Sequence, residues 1–153
     1  MNFEAKREVI LKPLQAVIGV VERRQTMPVL ANILMVVRDG KISLTATDLE
    51  VELVASAEVD AKQDGEITVP GRKFLDICRA LPEGATIRFE SSGERATVRS
   101  GRSRFTLSTL AATEFPSVEE INAQQTVALA QKDVRRLLEK THFAMAHQDV
   151  RYY

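Results

Sequence analysis

Residues 33–47 read Ile33-Leu34-Met35-Val36-Val37-Arg38-Asp39-Gly40-Lys41-Ile42-Ser43-Leu44-Thr45-Ala46-Thr47. Two strand-length segments, Ile33–Val37 and Lys41–Thr47, flank Asp39-Gly40. A tight primed turn needs positive φ at both central residues, and Asp-Gly is a pair that supplies it. The stretch predicts an antiparallel hairpin. Working outward, Val51, Leu53, Ala55, Ala57 and Val59 alternate with mostly polar residues, the pattern of a half-buried strand. Ile67–Val69 is a short strand stopped by Pro70. Three more strands follow, Thr86–Glu90, Arg95–Arg99 and Arg102–Thr109, with Ser92-Gly93 and Ser100-Gly101 at the turns. Two helical patterns interrupt the strands. Arg7–Val21 carries Val9, Ile10, Leu14, Val17, Ile18 and Val21 on one stripe, and Pro13 predicts a kink or a later start. Arg72–Leu81 turns Phe74, Ile77, Cys78 and Leu81 inward and ends at Pro82-Glu83-Gly84. Hairpins combined with separate helices predict an α+β fold.

Beyond these elements, residues 111–125 read as a polar linker broken at Pro116. A strand, Thr126–Ala130, and a third helix, Gln131–Met145, come next. Val134, Leu137, Leu138, Thr141 and Met145 are the predicted buried face of that helix, and Lys132, Arg136 and Lys140 form a basic ridge on another. A shift of 124 residues lays Phe3 on Val127, Ala5 on Leu129, Ile10 on Val134, Leu14 on Leu138 and Arg24 on Gln148. The strand-then-helix opening is thus used twice. The reading is one complete domain, residues 1–122, and the start of a second, residues 123–153. Val150-Arg151-Tyr152-Tyr153 reads as a strand just beginning, so the chain is expected to be a fragment.

Composition narrows the function classes. The 153 residues are 44% hydrophobic and 27% charged, as in an ordinary soluble domain, and no apolar run nears the length that spans a bilayer. The N-terminus is too charged for a signal peptide, which predicts a cytoplasmic protein. One cysteine, Cys78, excludes an internal disulfide, and its place on an apolar helical stripe marks it as core. His142 and His147 are five apart, not the four that favours a helical metal pair. No phosphate-binding glycine loop or nucleophile elbow occurs among the seven glycines. Asp48, Glu50 and Glu52 alternate and so should share a strand face. A magnesium-dependent enzyme built on them is a remote reading, and charge protection of a sheet edge is the better one. No cofactor and no catalytic residue are expected. Lys plus Arg and Asp plus Glu are both 21, but the charges are segregated. Asp48 to Glu66 holds seven acids and one base, whereas the second and third helices are rich in Lys and Arg.

Several stretches jointly carry a specific resemblance. They are Leu11-Lys12-Pro13-Leu14, the run from Arg24 to Asn32, Leu44-Thr45-Ala46-Thr47-Asp48-Leu49-Glu50, Val69-Pro70-Gly71-Arg72-Lys73, Ser100-Gly101-Arg102-Ser103-Arg104-Phe105, and the run from Phe143 through His147-Gln148-Asp149-Val150-Arg151-Tyr152-Tyr153. In this order and spacing the chain resembles the bacterial DNA polymerase III beta subunits, the beta sliding clamps, from Met1 to Tyr153. The resemblance implies the DNA-clamp fold, with antiparallel sheets outside and two helices per domain facing a central channel. It covers the first of three domains and the opening of the second. The implied function is a non-catalytic processivity factor that encircles duplex DNA and tethers the replicative polymerase. Its partners would be double-stranded DNA, DNA polymerase III and the clamp-loader subunits, with a homodimeric ring for the full-length protein and a monomer for this fragment. The alternative is a truncated clamp that cannot close a ring and acts as a weak DNA or protein interaction module.

The resemblance also assigns residues. Arg24 and Gln148 match positions that touch duplex DNA, and Lys12, Arg72, Lys73 and Arg79 are candidates for weaker contacts. A solvated surface base accounts for each of those four equally well. Arg102, Arg104, Phe105 and Leu107 match the edge strand at the dimer interface, with core packing the competing role for Phe105 and Leu107. Arg151, Tyr152 and Tyr153 border the pocket for polymerase peptides.

Overall fold

The structure, a computed structural model, describes residues 1–21, 27–116 and 124–145. The chain divides into two compact units, Met1–Val118 and Glu119–Tyr153. In the first, chain order is β1 (Asn2–Lys6), α1 (Arg7–Val17), β2 (Asn32–Arg38), β3 (Lys41–Thr47), β4 (Glu52–Glu58), β5 (Asp60–Gln63), β6 (Gly65–Pro70), α2 (Gly71–Ala80), β7 (Thr86–Ser92), β8 (Arg95–Ser100) and β9 (Ser103–Ser108). The strands form two antiparallel sheets, ordered β4-β3-β2-β6 and β5-β1-β7-β8-β9. The predicted α+β class and the hairpins stand. Asp39 and Gly40 have φ of 49° and 73°, and Arg38 faces Lys41 across the turn. Gly93 and Gly101 take positive φ at the first central position of the next two hairpins, where a II′-type turn favours glycine.

The two sheets share one plan. β1 leads into α1 and pairs with β7, the first strand after α2; β6 leads into α2 and pairs with β2, the first strand after α1. Each half is therefore a strand, a helix and a run of three strands, the first half adding β5 beside β1, and the halves exchange their leading strands. A shift of 64 residues sets Phe3 on Ile67, Ala5 on Val69, Ile10 on Phe74 and Leu14 on Cys78, and all eight are buried. This second repeat was not apparent from the sequence, because only apolar character survives in it.

Both helices bury a stripe against the sheets. Ile10, Leu14 and Val17 of α1 and Phe74, Leu75 and Cys78 of α2 join one core with Phe3 and Phe89. Phe3 stacks on Phe89 with centroids 5.1 Å apart, and Phe74 meets Phe89 edge-on at 5.9 Å. Gly71 is required by close approach: a Cβ there would lie 2.9 Å from Ile33 Cγ2 and 3.2 Å from Ile18 Cδ1.

Several expectations change. The first helix begins at Arg7 despite Pro13 and stops at Val17, where a 3₁₀ turn, Ile18–Val20, takes over. Pro13 is buried within it, so apolar packing on both sides outweighs the missing backbone donor. β5 was not foreseen, since Asp60-Ala61-Lys62-Gln63 has neither alternation nor β-branched residues. The segment after β9 is only partly a linker. Phe115 is buried with Val29 and Leu30 in a small second core. Just before it, the Thr68 N–H and hydroxyl both donate to the Leu110 carbonyl, each at 3.1 Å, while the Asn32 amide donates to the Thr68 hydroxyl at 2.9 Å.

In the second unit residues 125–130 form no strand, contrary to expectation. α3 spans Gln131–Thr141 and a 3₁₀ turn follows at His142–Ala144. Under the 124-residue shift these limits coincide residue for residue with α1 and its 3₁₀ turn. The predicted burial of its apolar stripe fails: Leu137 is 65% and Leu138 64% exposed, and Val134, Thr141 and Met145 are exposed as well. The sequence marks a face that wants cover, and the described residues of the second unit do not supply it.

Two measurements follow from the first unit. Thr68→Val keeps the shape but leaves the buried Asn32 amide unpaired, so denaturant unfolding should show a loss of about 1–3 kcal/mol; an unchanged midpoint contradicts the assigned role. Burial pushes the Cys78 thiol up from 9.0 to about 12. Folding therefore holds the thiol neutral, and the stability it contributes is full below about pH 9 and falls as pH rises toward about 12. Between about pH 8 and about pH 10.5 the wild type should lose more stability than Cys78→Ala; equal losses would place the thiol in solvent.

Candidate nucleic-acid interface

α1 and α2 pack side by side and run antiparallel. The start of α1 meets the end of α2, where Arg7 Nε donates to the Cys78 carbonyl at 2.8 Å and Nη2 to that of Arg79 at 3.5 Å. The far ends meet too, because the Arg72 guanidinium donates to the Val21 carbonyl and Ile18 and Val21 pack at Gly71. Glu8 Oε1 accepts the Gly84 N–H at 3.0 Å, and that backbone donor holds its carboxyl below the usual carboxylate range. The loop after α2 is thereby tied to the first turn of α1.

With their apolar stripes on the sheets, the two helices turn their polar faces outward. Lys12 is exposed on α1; Arg72, Lys73 and Arg79 are exposed on α2, with Asp76 between them. None of the four bases joins an ion pair among the described residues. Arg72 and Lys73 stand in the first turn of α2, where no acid offsets them. The partial positive charge of a helix N-terminus adds to theirs, so this end of α2 attracts anions. Arg72 differs from the other three, since it already serves the Val21 carbonyl. Arg24 and Gln148 lie outside the described residues, as do Arg151, Tyr152 and Tyr153.

The expected segregation of charge is partial. Glu52, Glu58, Asp60, Asp64 and Glu66 are exposed along β4 to β6. Positive charge is not confined to helices, because Arg95, Arg99, Arg102 and Arg104 stand exposed on β8, β9 and the turn between them. β9 is an edge of the five-stranded sheet, and among the described residues no strand pairs with its outer side. Of its two apolar residues Phe105 is half-buried, while Leu107 is 4% exposed and belongs to the core. Leu107 can therefore meet a partner through its backbone alone.

The acidic triplet is not the strand face that was expected. The chain turns at Asp48–Val51, and Leu49 takes φ of 78°. Asp48 Oδ1 accepts the N–H groups of Val51 at 2.8 Å and Glu50 at 3.0 Å, which holds its carboxyl below the usual range. Asp48 is thus spent on its own turn, and strand alternation does not align it with Glu50 and Glu52. An aspartate followed by three residues before a strand is a signal for such a turn.

The comparisons agree on one family. The DNA polymerase III beta subunit, N-terminal domain, matches residues 1–119. The Beta sliding clamp of Pseudomonas putida is 56% identical over 100% of this chain and 42% of its own length. That of Escherichia coli K12 is 54% identical with the same coverage. A crystal structure of the Pseudomonas aeruginosa sliding clamp bound to griselimycin superposes with a TM-score of 0.95 at 55% identity, again over 100% of this chain and 42% of that one. The chain spans under half the length of these relatives. It belongs to the DNA polymerase III beta subunit family, the bacterial beta sliding clamps.

Proposed function

We propose that this chain forms the first domain, and the opening of the second, of a subunit that encircles duplex DNA and tethers the replicative polymerase. The observation that carries the reading is the pair of antiparallel helices whose outward faces bear Lys12, Lys73 and Arg79, none of them in an ion pair among the described residues. Such bases attract phosphates and read no sequence, since backbone contacts position a duplex without distinguishing base edges. A few weak contacts permit sliding. Retention then comes from closure of the ring, and a polymerase bound to the ring is held at high effective concentration beside the primer end. The partners proposed are double-stranded DNA, DNA polymerase III and the clamp loader, in the cytoplasm at the nucleoid. The role is non-catalytic and needs no cofactor.

β9 is the proposed ring joint. Its outer edge has no strand partner among the described residues, and Arg102, Arg104 and Phe105 select an acidic strand with an apolar pocket beside it. Arg24 and Gln148 would complete the DNA contacts, and Arg151, Tyr152 and Tyr153 the border of the polymerase-peptide pocket. The proposed domain boundary stays at residue 122.

Two outcomes test this reading. Lys73→Gln and Arg79→Gln should each weaken duplex binding alike for all sequences and reduce the salt slope of log affinity by about 0.9; sequence-dependent losses or unchanged slopes contradict it. The 153 residues taken alone should be monomeric by light scattering, because they span only 42% of the length of these relatives and the proposed partner of β9 lies in the remainder. A stable dimer contradicts that joint.

A further inference from the structure

The contacts between α1 and α2 are reciprocal. Arg7, the first residue of α1, reaches the carbonyls of Cys78 and Arg79 at the end of α2. Arg72, in the first turn of α2, reaches the carbonyl of Val21, which ends the run that continues α1. The last carbonyls of a helix lack partners within it, and a cation there also meets the negative end of the dipole. Arg7 therefore closes the carbonyl end of α2, while Arg72 holds the extended residue just past the 3₁₀ turn that follows α1, and the two latches lie at opposite ends of the pair.

Both arginines look misplaced when taken alone. A base in the first turn opposes the dipole of its own helix, and neither α1 nor α2 has a side-chain N-cap. The acceptors on the neighbouring helix account for both positions. The Arg7 side chain is only 15% exposed and forks across two successive carbonyls while Nη1 meets Glu8 at 3.3 Å. Lysine cannot reproduce that planar fork. Slippage or splaying of the helices would change the spacing of Lys12, Lys73 and Arg79, and phosphates recur along a duplex at fixed intervals.

We propose that Arg7 and Arg72 are positioning residues for the DNA-facing helix pair: each latches the start of one helix to the backbone at the far end of the other helical run, and together they set where Lys12, Lys73 and Arg79 stand along a duplex. Arg72 on this view serves the protein backbone and does not contact phosphate. The proposal rests on the DNA-encircling reading for its purpose, but the latch itself can be measured without DNA.

Arg7→Lys keeps the charge and removes the fork, and Arg72→Lys keeps the charge on a shorter side chain that falls back from the Val21 carbonyl. Spin labels at Lys12→Cys and Lys73→Cys report the distance between the helices. The distribution should be narrow in the parent chain and broader in each lysine variant, at a temperature where all remain folded by circular dichroism. In the unlabelled chain, each lysine variant should bind duplex DNA about fivefold more weakly, with the salt slope unchanged because no phosphate pair is lost. Distance distributions identical to the parent's would overturn the latch. Broadened distances with undiminished DNA affinity would overturn its role in positioning. A slope reduced by about 0.9 in Arg72→Gln, beyond that of Arg72→Lys, would make Arg72 a direct phosphate contact. If the parent chain itself fails to bind DNA, the proposed attraction of its helix faces for phosphates fails, and the distance measurement still decides the latch.

Discussion

Each half of the first unit lends its leading strand to the other half's sheet. β1 completes the sheet of β7, β8 and β9, and β6 completes that of β2, β3 and β4. This exchange has a cost in folding, because the β1–β7 pair joins residues as distant as Lys6 and Thr86, and the β2–β6 pair residues such as Asn32 and Pro70, and long loops are slow to close. It also has a structural consequence. A helix follows directly from each exchanged strand, so both helices are delivered to one layer, side by side and antiparallel. Phe3 and Phe89, stacked across the β1–β7 pair, lie under that layer and meet Phe74 of α2. The outward face of the helices is then fixed by which stripes the core takes.

Much of this was legible in the sequence. The hairpins announced themselves through Asp39-Gly40, Gly93 and Gly101, where the backbone needs positive φ. The amphipathic stripe of α2 was plain from Phe74, Ile77 and Cys78. The 124-residue repeat, weak as a sequence match, coincides with the limits of α1 and α3 to the residue. Other features were hidden for physical reasons. β5 is held by pairing with β1, not by its own composition. The limits of α1 depend on contacts made by Arg7, at 71 residues' distance in the chain. The exchange of strands leaves no local trace, since any apolar strand could pair with either neighbour.

The candidate site was half legible. Residue type and resemblance singled out Lys12, Arg72, Lys73 and Arg79, and all four are exposed on the helix pair. What the sequence did not reveal is the division of labour among them. Arg72 looks like its neighbour Lys73 until its bond to the Val21 carbonyl is seen. Likewise Leu107 alternates like an interface residue, yet the core takes it. The acidic triplet looked like one charged strand face, and Asp48 proves to be occupied by its own turn. For Arg72 and Asp48 backbone hydrogen bonding, and for Leu107 burial, decided between roles that the side chain alone allowed.

The central claim is that the affinity of the assembled subunit for DNA is topological, with the helix faces adding only weak and sequence-independent attraction. The most direct test loads the ring that contains this chain onto nicked circular duplex and then cuts the circle once. The account predicts that the ring stays on the circle through extensive washing and is lost when the circle is linearised. Equal retention before and after the cut would contradict it, because the hold on DNA would then lie in contacts and not in closure.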